Sequence, residues 1–238
     1  MTKNTGSDQL AISLWPTAPI YTDQGTHASL NVAIYQPVSG IPTGWYWFGS
    51  LAVQLPGGSW SFNDPVVATC APWAVIVNPI SPDAICAVTP GTQPLYTDQG
   101  SHGNQNLEIW QPAPSLPGYN VVGLFARVVS QYGGPPPDLG LESEGFCAIK
   151  GDLLSSGQAG SLIWSDQGSG ANGGGIWKDI SLWNVTDSVN QIAPTNTFVA
   201  TGNHNNPPTG NFAPSPLVFQ AATIVSAQAD EISKTRGA

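Results

Sequence analysis

Charged side chains are scarce in this sequence, and cations are the scarcest. Only 9% of the 238 residues are Asp, Glu, Lys or Arg. The six basic residues are Lys3, Arg127, Lys150, Lys178, Lys234 and Arg236, and three of them lie near the termini. Too few remain along the body to neutralise a phosphate backbone or an anionic lipid surface, which excludes nucleic acid as a partner. The net charge of −9 leaves neutral and cationic ligands open. Cysteine is nearly absent. Cys70, Cys86 and Cys147 form no Cys-x-x-Cys pair, so a thiolate metal site is excluded, and their odd number argues against a disulfide framework. Cys70 and Cys86 could pair across two strands, but buried thiols are the better expectation.

Long apolar runs are missing too. Met1 to Asp8 has no apolar stretch like that of a signal peptide, and nothing approaches the roughly 18 residues of a membrane span. The expectation is a soluble protein made without a leader, cytoplasmic in the producer or released by a leaderless route. No segment reads as a helix of ordinary length, and Ala221 to Ser233 reads as a strand followed by a tail. Catalytic signatures are lacking: there is no Gly-x-Ser-x-Gly, no His-Glu-x-x-His and no phosphate loop ending in Gly-Lys. The four Glu residues (Glu108, Glu142, Glu144, Glu231) recur in no threefold pattern that would supply paired carboxylates. The expectation is a non-enzymatic protein with no cofactor.

What is present is glycine (27), proline (22) and an aromatic set of nine Trp, six Tyr and seven Phe. Gly and Pro interrupt regular elements and keep strands short, while the aromatics supply enough apolar surface for a packed core. The dominant feature is a repeat. Tyr21-Thr22-Asp23-Gln24-Gly25-Thr26-His27 returns 75 positions later as Tyr96-Thr97-Asp98-Gln99-Gly100-Ser101-His102. A third copy, Trp164-Ser165-Asp166-Gln167-Gly168-Ser169-Gly170, follows after 68 more. Downstream of the first heptad, Leu30, Val32 and Ile34 alternate with other residues before Tyr35-Gln36-Pro37. The second copy gives Leu107-Glu108-Ile109-Trp110-Gln111-Pro112, and the third is matched to Ile176-Trp177-Lys178-Asp179. Alternation closing on Pro is the pattern of a half-buried strand and its exit turn.

A further strand in each copy is marked by an aromatic four positions before a glycine: Trp45 to Gly49, Tyr119 to Gly123 and Phe198 to Gly202. Short apolar runs follow at Trp73–Val77, Phe146–Ile149 and Leu217–Phe219. Three units of about four strands predict an all-β, pseudo-threefold β-prism of three four-stranded Greek-key-like sheets. A trefoil is disfavoured because the repeat is longer than trefoil repeats are. The domain runs from 10 to 228, with repeats at about 10–82, 83–155 and 156–228, and flexible tails at 1–9 and 229–238.

Leu162-Ile163-Trp164-Ser165-Asp166-Gln167-Gly168-Ser169-Gly170-Ala171, with Ile176-Trp177 after it, resembles the signature of the vacuolar protein sorting-associated protein 62 family. That pattern is an aromatic, a small polar residue, Asp, any residue, then Gly-Ser-Gly-Ala and a Trp-containing strand. The resemblance implies a β-prism-like fold shared with lectins and toxin domains, and no particular reaction. In the first two copies His27 and His102 stand where the family pattern has its second glycine.

An aromatic beside Asp, an amide and Gly is a toolkit for neutral polyhydroxylated ligands, combining a flat apolar face with directional hydrogen-bonding groups. The candidate ligand-binding residues are therefore Tyr21, Asp23, Gln24, Gly25 and His27 in the first copy. Tyr96, Asp98, Gln99, Gly100 and His102 follow in the second, and Trp164, Asp166, Gln167 and Gly168 in the third. The same residues also suit a turn that sets the register of each repeat, because Asp and Ser or Thr bond nearby backbone. Asp and His four apart make only a two-ligand pair, so no metal is expected, and His204 reads as a solvated loop residue. The functional expectation is lectin-like recognition of a neutral glycan or a glycosylated cell-surface receptor. The alternatives are an insecticidal or membrane-active toxin (or its receptor-binding part), with membrane association only in that case, and a structural protein-interaction domain.

Overall fold

The computed structural model describes residues 9–186, 197–204 and 212–220, and the backbone of 224–226. The terminal tails expected at 1–9 and 229–238 lie outside these residues apart from Gln9, as does most of the 221–233 segment. Within it, Ile224–Ser226 is a strand.

Each repeat opens on a strand that pairs antiparallel with the strand that ends it. These pairs are Leu10–Trp15 with Ala74–Pro79, Ile85–Cys86 with Ala148–Lys150, and Leu154–Ser156 with Leu217–Phe219. Between them runs a three-stranded antiparallel meander. The meanders are Thr17–Thr22, Asn31–Pro37 and Leu51–Leu55; Tyr96–Thr97, Asn106–Trp110 and Phe125–Val129; and Gln158–Ser165, Ser181–Thr186 and Phe198–Thr201. The fold is all-β, as the sequence predicts, but the four-stranded Greek-key-like sheets are replaced by a meander and a separate sheet built on the closing pair, to which Ile224–Ser226 adds a third strand in the first repeat and Tyr119–Asn120 in the second. Pro16 shows why in the first repeat. It follows Trp15 directly, has no N–H for the ladder, and divides one extended segment between two sheets. In the third, Gly157 stands between Ser156 and Gln158, its N–H donating to the Pro216 carbonyl at 2.9 Å.

Two threefold cores follow from this division. Inward side chains of the three meanders meet in one, with Val32 and Ile34, Leu107 and Ile109, and Ile180 and Leu182 from equivalent positions. The closing pairs build the other, with Leu10 and Val77, Ile85 and Ile149, and Leu154 and Phe219. Cys86 and Cys147 are buried thiols and Cys70 is half-buried; none is bridged. Burial pushes the Cys147 thiol well up, with a smaller contribution from Cys86 beside it.

The first two repeats approach closely at Gly49 and Gly123. A Cβ on either would lie 2.9 Å from the other's Cα, and Thr197 completes the set. Thr197 is two residues before Val199, which pairs with Trp183, as Gly49 precedes Leu51 paired with Tyr35 and Gly123 precedes Phe125 paired with Trp110. The third member of the glycine series is therefore Thr197, not Gly202. The third-copy strand also moves. Its meander strand is Ser181–Thr186, and Ile176–Asp179 belong to the connection before it. The Asp-to-strand bond spans 9 residues in the first two copies and 14 in the third. The insertion hid the register.

Helix is confined to Pro65–Thr69 and a 3-10 turn at Gly151–Leu153 among the described residues, and no described helix is long and apolar enough to cross a membrane.

Candidate functional site

The three Asp-Gln-Gly heptads fold as one turn used three times. In each, the Asp carbonyl accepts the N–H three residues on, from Thr26, Ser101 and Ser169 at 3.0, 3.0 and 2.9 Å. The Asp Oδ1 accepts an N–H where the core-facing strand begins, from Val32, Leu107 and Ile180 at 3.1, 2.6 and 3.0 Å. The glycine takes a left-handed φ, +88° at Gly25, +89° at Gly100 and +86° at Gly168. A side chain there would be strained. A second left-handed position follows two residues later, at φ 58° for His27, 60° for His102 and 76° for Gly170. This accounts for the glycine of the resembled pattern. Histidine is one of the non-glycine residues that tolerate the conformation.

The heptads then lock to one another in a closed circuit. The Tyr21 hydroxyl donates to Asp98 Oδ2 at 3.0 Å, from the first repeat to the second. The Trp164 Nε1–H donates to Asp23 Oδ2 at 3.0 Å, from the third back to the first. Between second and third, the Tyr96 hydroxyl faces Asp166, although neither it nor Asp166 Oδ2 makes a hydrogen bond of good geometry. The backbone repeats the circuit outside. The carbonyl of Gln24 accepts from Asn104 N–H, that of Gln99 from Asn172 and that of Gln167 from Ser29, at 3.0, 2.9 and 3.1 Å.

This circuit places the candidate residues in two layers. Tyr21, Tyr96 and Trp164 are at most 1% exposed and belong to the shared core, and Asp23, Asp98 and Asp166 are buried beside them. The rings cannot offer the open stacking face expected of them, because core packing takes both sides. The carboxylates are spent on backbone amides and on the next repeat. Above them, Gln24 and Gly25 are half-buried, while Gln99, Gly100, Gln167, Gly168, His27 and His102 are exposed.

Burial dominates the electrostatics. It lifts the Asp23 carboxyl to about 6, against the opposing pull of the Val32 and Trp164 N–H donors. Asp98 and Asp166 are raised for the same reason, each opposed by its donors. Tyr21 and Tyr96 are pushed well above the usual phenol range, first by burial and then by the neighbouring carboxylates.

Two of the three Asp residues gain a further partner that the heptad pattern does not contain. The Tyr132 hydroxyl donates to Asp98 Oδ1 at 2.6 Å, and His204 Nε2 lies 2.7 Å from Asp166 Oδ1. Both come from the turn after the last meander strand, at Ser130–Tyr132 and Gly202–His204. His204 is therefore an Asp166 partner rather than a solvated loop residue. With Asp179, whose Oδ1 is 3.6 Å from the same nitrogen, it forms a trio whose ligand atoms lie within 4.8 Å of one another and could hold one cation. A shallow cleft of about 370 Å³ opens beside the second heptad, lined by Gln93, Thr97, Gln99, Trp110 and Tyr132. Glu108, buried at its wall, is held by Arg127 at 2.7 Å, and the guanidinium lies 5.1 Å from the Trp110 ring centre. A larger cleft lies elsewhere, between a loop of the first repeat and a turn of the second.

No family model and no curated protein matches this chain. Among solved structures, GNIP1Aa from Chromobacterium piscinae shares the fold, with a TM-score of 0.66 and 20% sequence identity. The match covers 95% of this chain and 40% of that one, so this chain spans about two fifths of the structure it matches.

Proposed function

We propose that the chain is a non-enzymatic binding protein whose contact surface is the rim of the heptad circuit, with lectin-like recognition of a neutral glycan. One observation carries this reading. The three turns are fixed to each other by the Gln carbonyls, so the exposed amides of Gln99 and Gln167 and the imidazoles of His27 and His102 stand on a preformed frame. The backbone beneath these groups is already ordered, so only their side chains lose freedom on binding, which favours weak polar ligands. The cleft beside Gln99 adds the half-buried Tyr132 as an aromatic wall in place of the buried heptad rings. Several shallow contacts engaged together would strengthen attachment to a glycosylated surface.

A glycan array followed by titration calorimetry tests this. The expected result is saturable binding at millimolar affinity or better, weakened by Gln99→Ala and by Gln167→Ala with the fold unchanged. Absence of binding to every glycan, or binding indifferent to both substitutions, overturns it.

The second reading is the receptor-binding part of an insecticidal or membrane-active toxin. It is favoured by the fold shared with GNIP1Aa, of which this chain matches only 40%. Binding to intact gut-epithelial cells without dye release from liposomes supports a receptor-binding part; dye release supports the membrane-active form.

A further inference from the structure

We propose that the larger cleft, lined by Ile41, Trp45, Tyr46, Glu142 and Glu144, binds a small organic cation: an ammonium group on an apolar or hydroxylated body. This site shares no residue with the heptad circuit and goes beyond the glycan reading. The cleft has a volume of about 670 Å³ and opens between the 36–47 segment of the first repeat and the 141–145 turn of the second. That volume lies within the range of pockets that hold small molecules.

The two walls are fixed to each other. Trp47 N–H donates to the Gly145 carbonyl at 2.9 Å, its Nε1–H to the Glu144 carbonyl at 2.6 Å, and Cys147 N–H returns a bond to the Trp47 carbonyl at 2.9 Å. The Trp47 ring meets Phe146 edge-on at 4.9 Å between ring centres. The acidic turn is closed by Glu144 and Gly145, whose N–H groups both donate to the Gly140 carbonyl, at 3.0 and 3.1 Å. Gly145 takes φ +66° to complete it. The carboxylates are therefore carried on an ordered frame.

Charge selects the ligand. Glu142 and Glu144 are half of the Glu residues in the chain and sit two positions apart. Both are exposed, and among the described residues neither carboxylate has an ion pair or hydrogen bond. No Lys, Arg or His lines the cleft. Two like charges on one turn repel each other, and an arriving cation removes that repulsion while gaining both attractions. Trp45, Tyr46 and Ile41 are half-buried and add aromatic and apolar surface, which suits the face of an ammonium-bearing body. A neutral sugar gains only the second of these. The net charge of −9 also raises the local concentration of any cation.

The test uses choline (a quaternary ammonium) and glucosamine (an amino sugar) as probes, with N-acetylglucosamine as the neutral counterpart, read by tryptophan fluorescence and calorimetry. At least one cation is expected to bind saturably at millimolar affinity, and N-acetylglucosamine neither to compete nor to report at this cleft. Which cation binds tells whether the body is apolar or hydroxylated. The double variant Glu142→Gln/Glu144→Gln should weaken the cation by about tenfold or more, a change of about 1.4 kcal/mol. Both residues are exposed and unpaired, so its melting temperature should stay unchanged. Failure of both cations to saturate, or an unchanged affinity in the double variant, overturns the proposal. Glycan binding at the heptad rim is unaffected by these two substitutions, so the two sites fail or stand separately.

Discussion

The Trp164 indole N–H donates to Asp23 Oδ2 at 3.0 Å across 141 positions of sequence. It joins the third repeat to the first, as Tyr21 joins the first to the second through Asp98. The Asp-Gln-Gly heptad is thus a clasp beneath and a candidate contact surface above, and variants can separate the two.

Trp164→Phe keeps most of the apolar ring and removes the N–H. One Asp23 oxygen is left buried without a donor, at a cost of about 1–3 kcal/mol. Tyr21→Phe should lose a similar amount at Asp98. Asp98→Ala strands the Leu107 N–H and two hydroxyls together, with a cost of roughly 3 kcal/mol or more. Denaturant unfolding measures all three.

Acid should favour the clasp. Asp23 has a folded-state value near 6, above its ordinary value of 3.8. The folded protein therefore holds more protons than the unfolded chain between about pH 4 and pH 6. The contribution of Asp23 is fully present below that window and is lost as pH rises through it, a change of roughly 3 kcal/mol. Asp98 and Asp166 shift in the same direction. Melting temperatures of wild type and Asp23→Asn, compared from pH 4 to 8, should lie close at the acid end, where the protonated carboxyl resembles the amide, and separate as pH rises, because only wild type loses this contribution. Parallel curves would show that Asp23 titrates at its ordinary value.

Gly49→Ala and Gly123→Ala each place a methyl 2.9 Å from backbone that has no side chain to move aside. Each should cost about 2–3 kcal/mol by overpacking. The double variant should depart from additivity, because each new methyl meets the other altered residue. Thermal unfolding of the singles and the double checks this.

His27→Gly and His102→Gly separate conformation from recognition. At φ near 60° glycine relieves strain, while its freer unfolded chain offsets part of that gain. Stability should change by less than about 1 kcal/mol. Any loss of glycan binding in these variants is then a loss of contact. Retained binding in both would assign the imidazoles a purely local role.

The repeat itself was legible because three matched heptads can be aligned by eye, and the all-β class followed from short alternating runs between glycine and proline. Which layer each heptad residue occupies was not legible. Asp before Gly reads alike whether its carboxylate faces water or a buried amide, and the Oδ2 partners of Asp23 and Asp98 come from other repeats. The third copy misled in two places for one reason. Its longer connection carries Ile176 and Trp177 past the strand position, and without the strand register Gly202 looked like the partner of Gly49 and Gly123. Thr197 holds that place and has no glycine to signal it. His204 could not be linked to Asp166 because no histidine follows the last strand of the other two meanders.

The backbone bonds of the circuit run first to second, second to third and third to first. A row of repeats would have two weak ends, from which melting could start and move inward one unit at a time. A ring has none: every repeat is an interior one, and releasing any of them opens two junctions at once. Partial unfolding is thereby discouraged, and the frame under the rim should stay whole until the entire chain gives way.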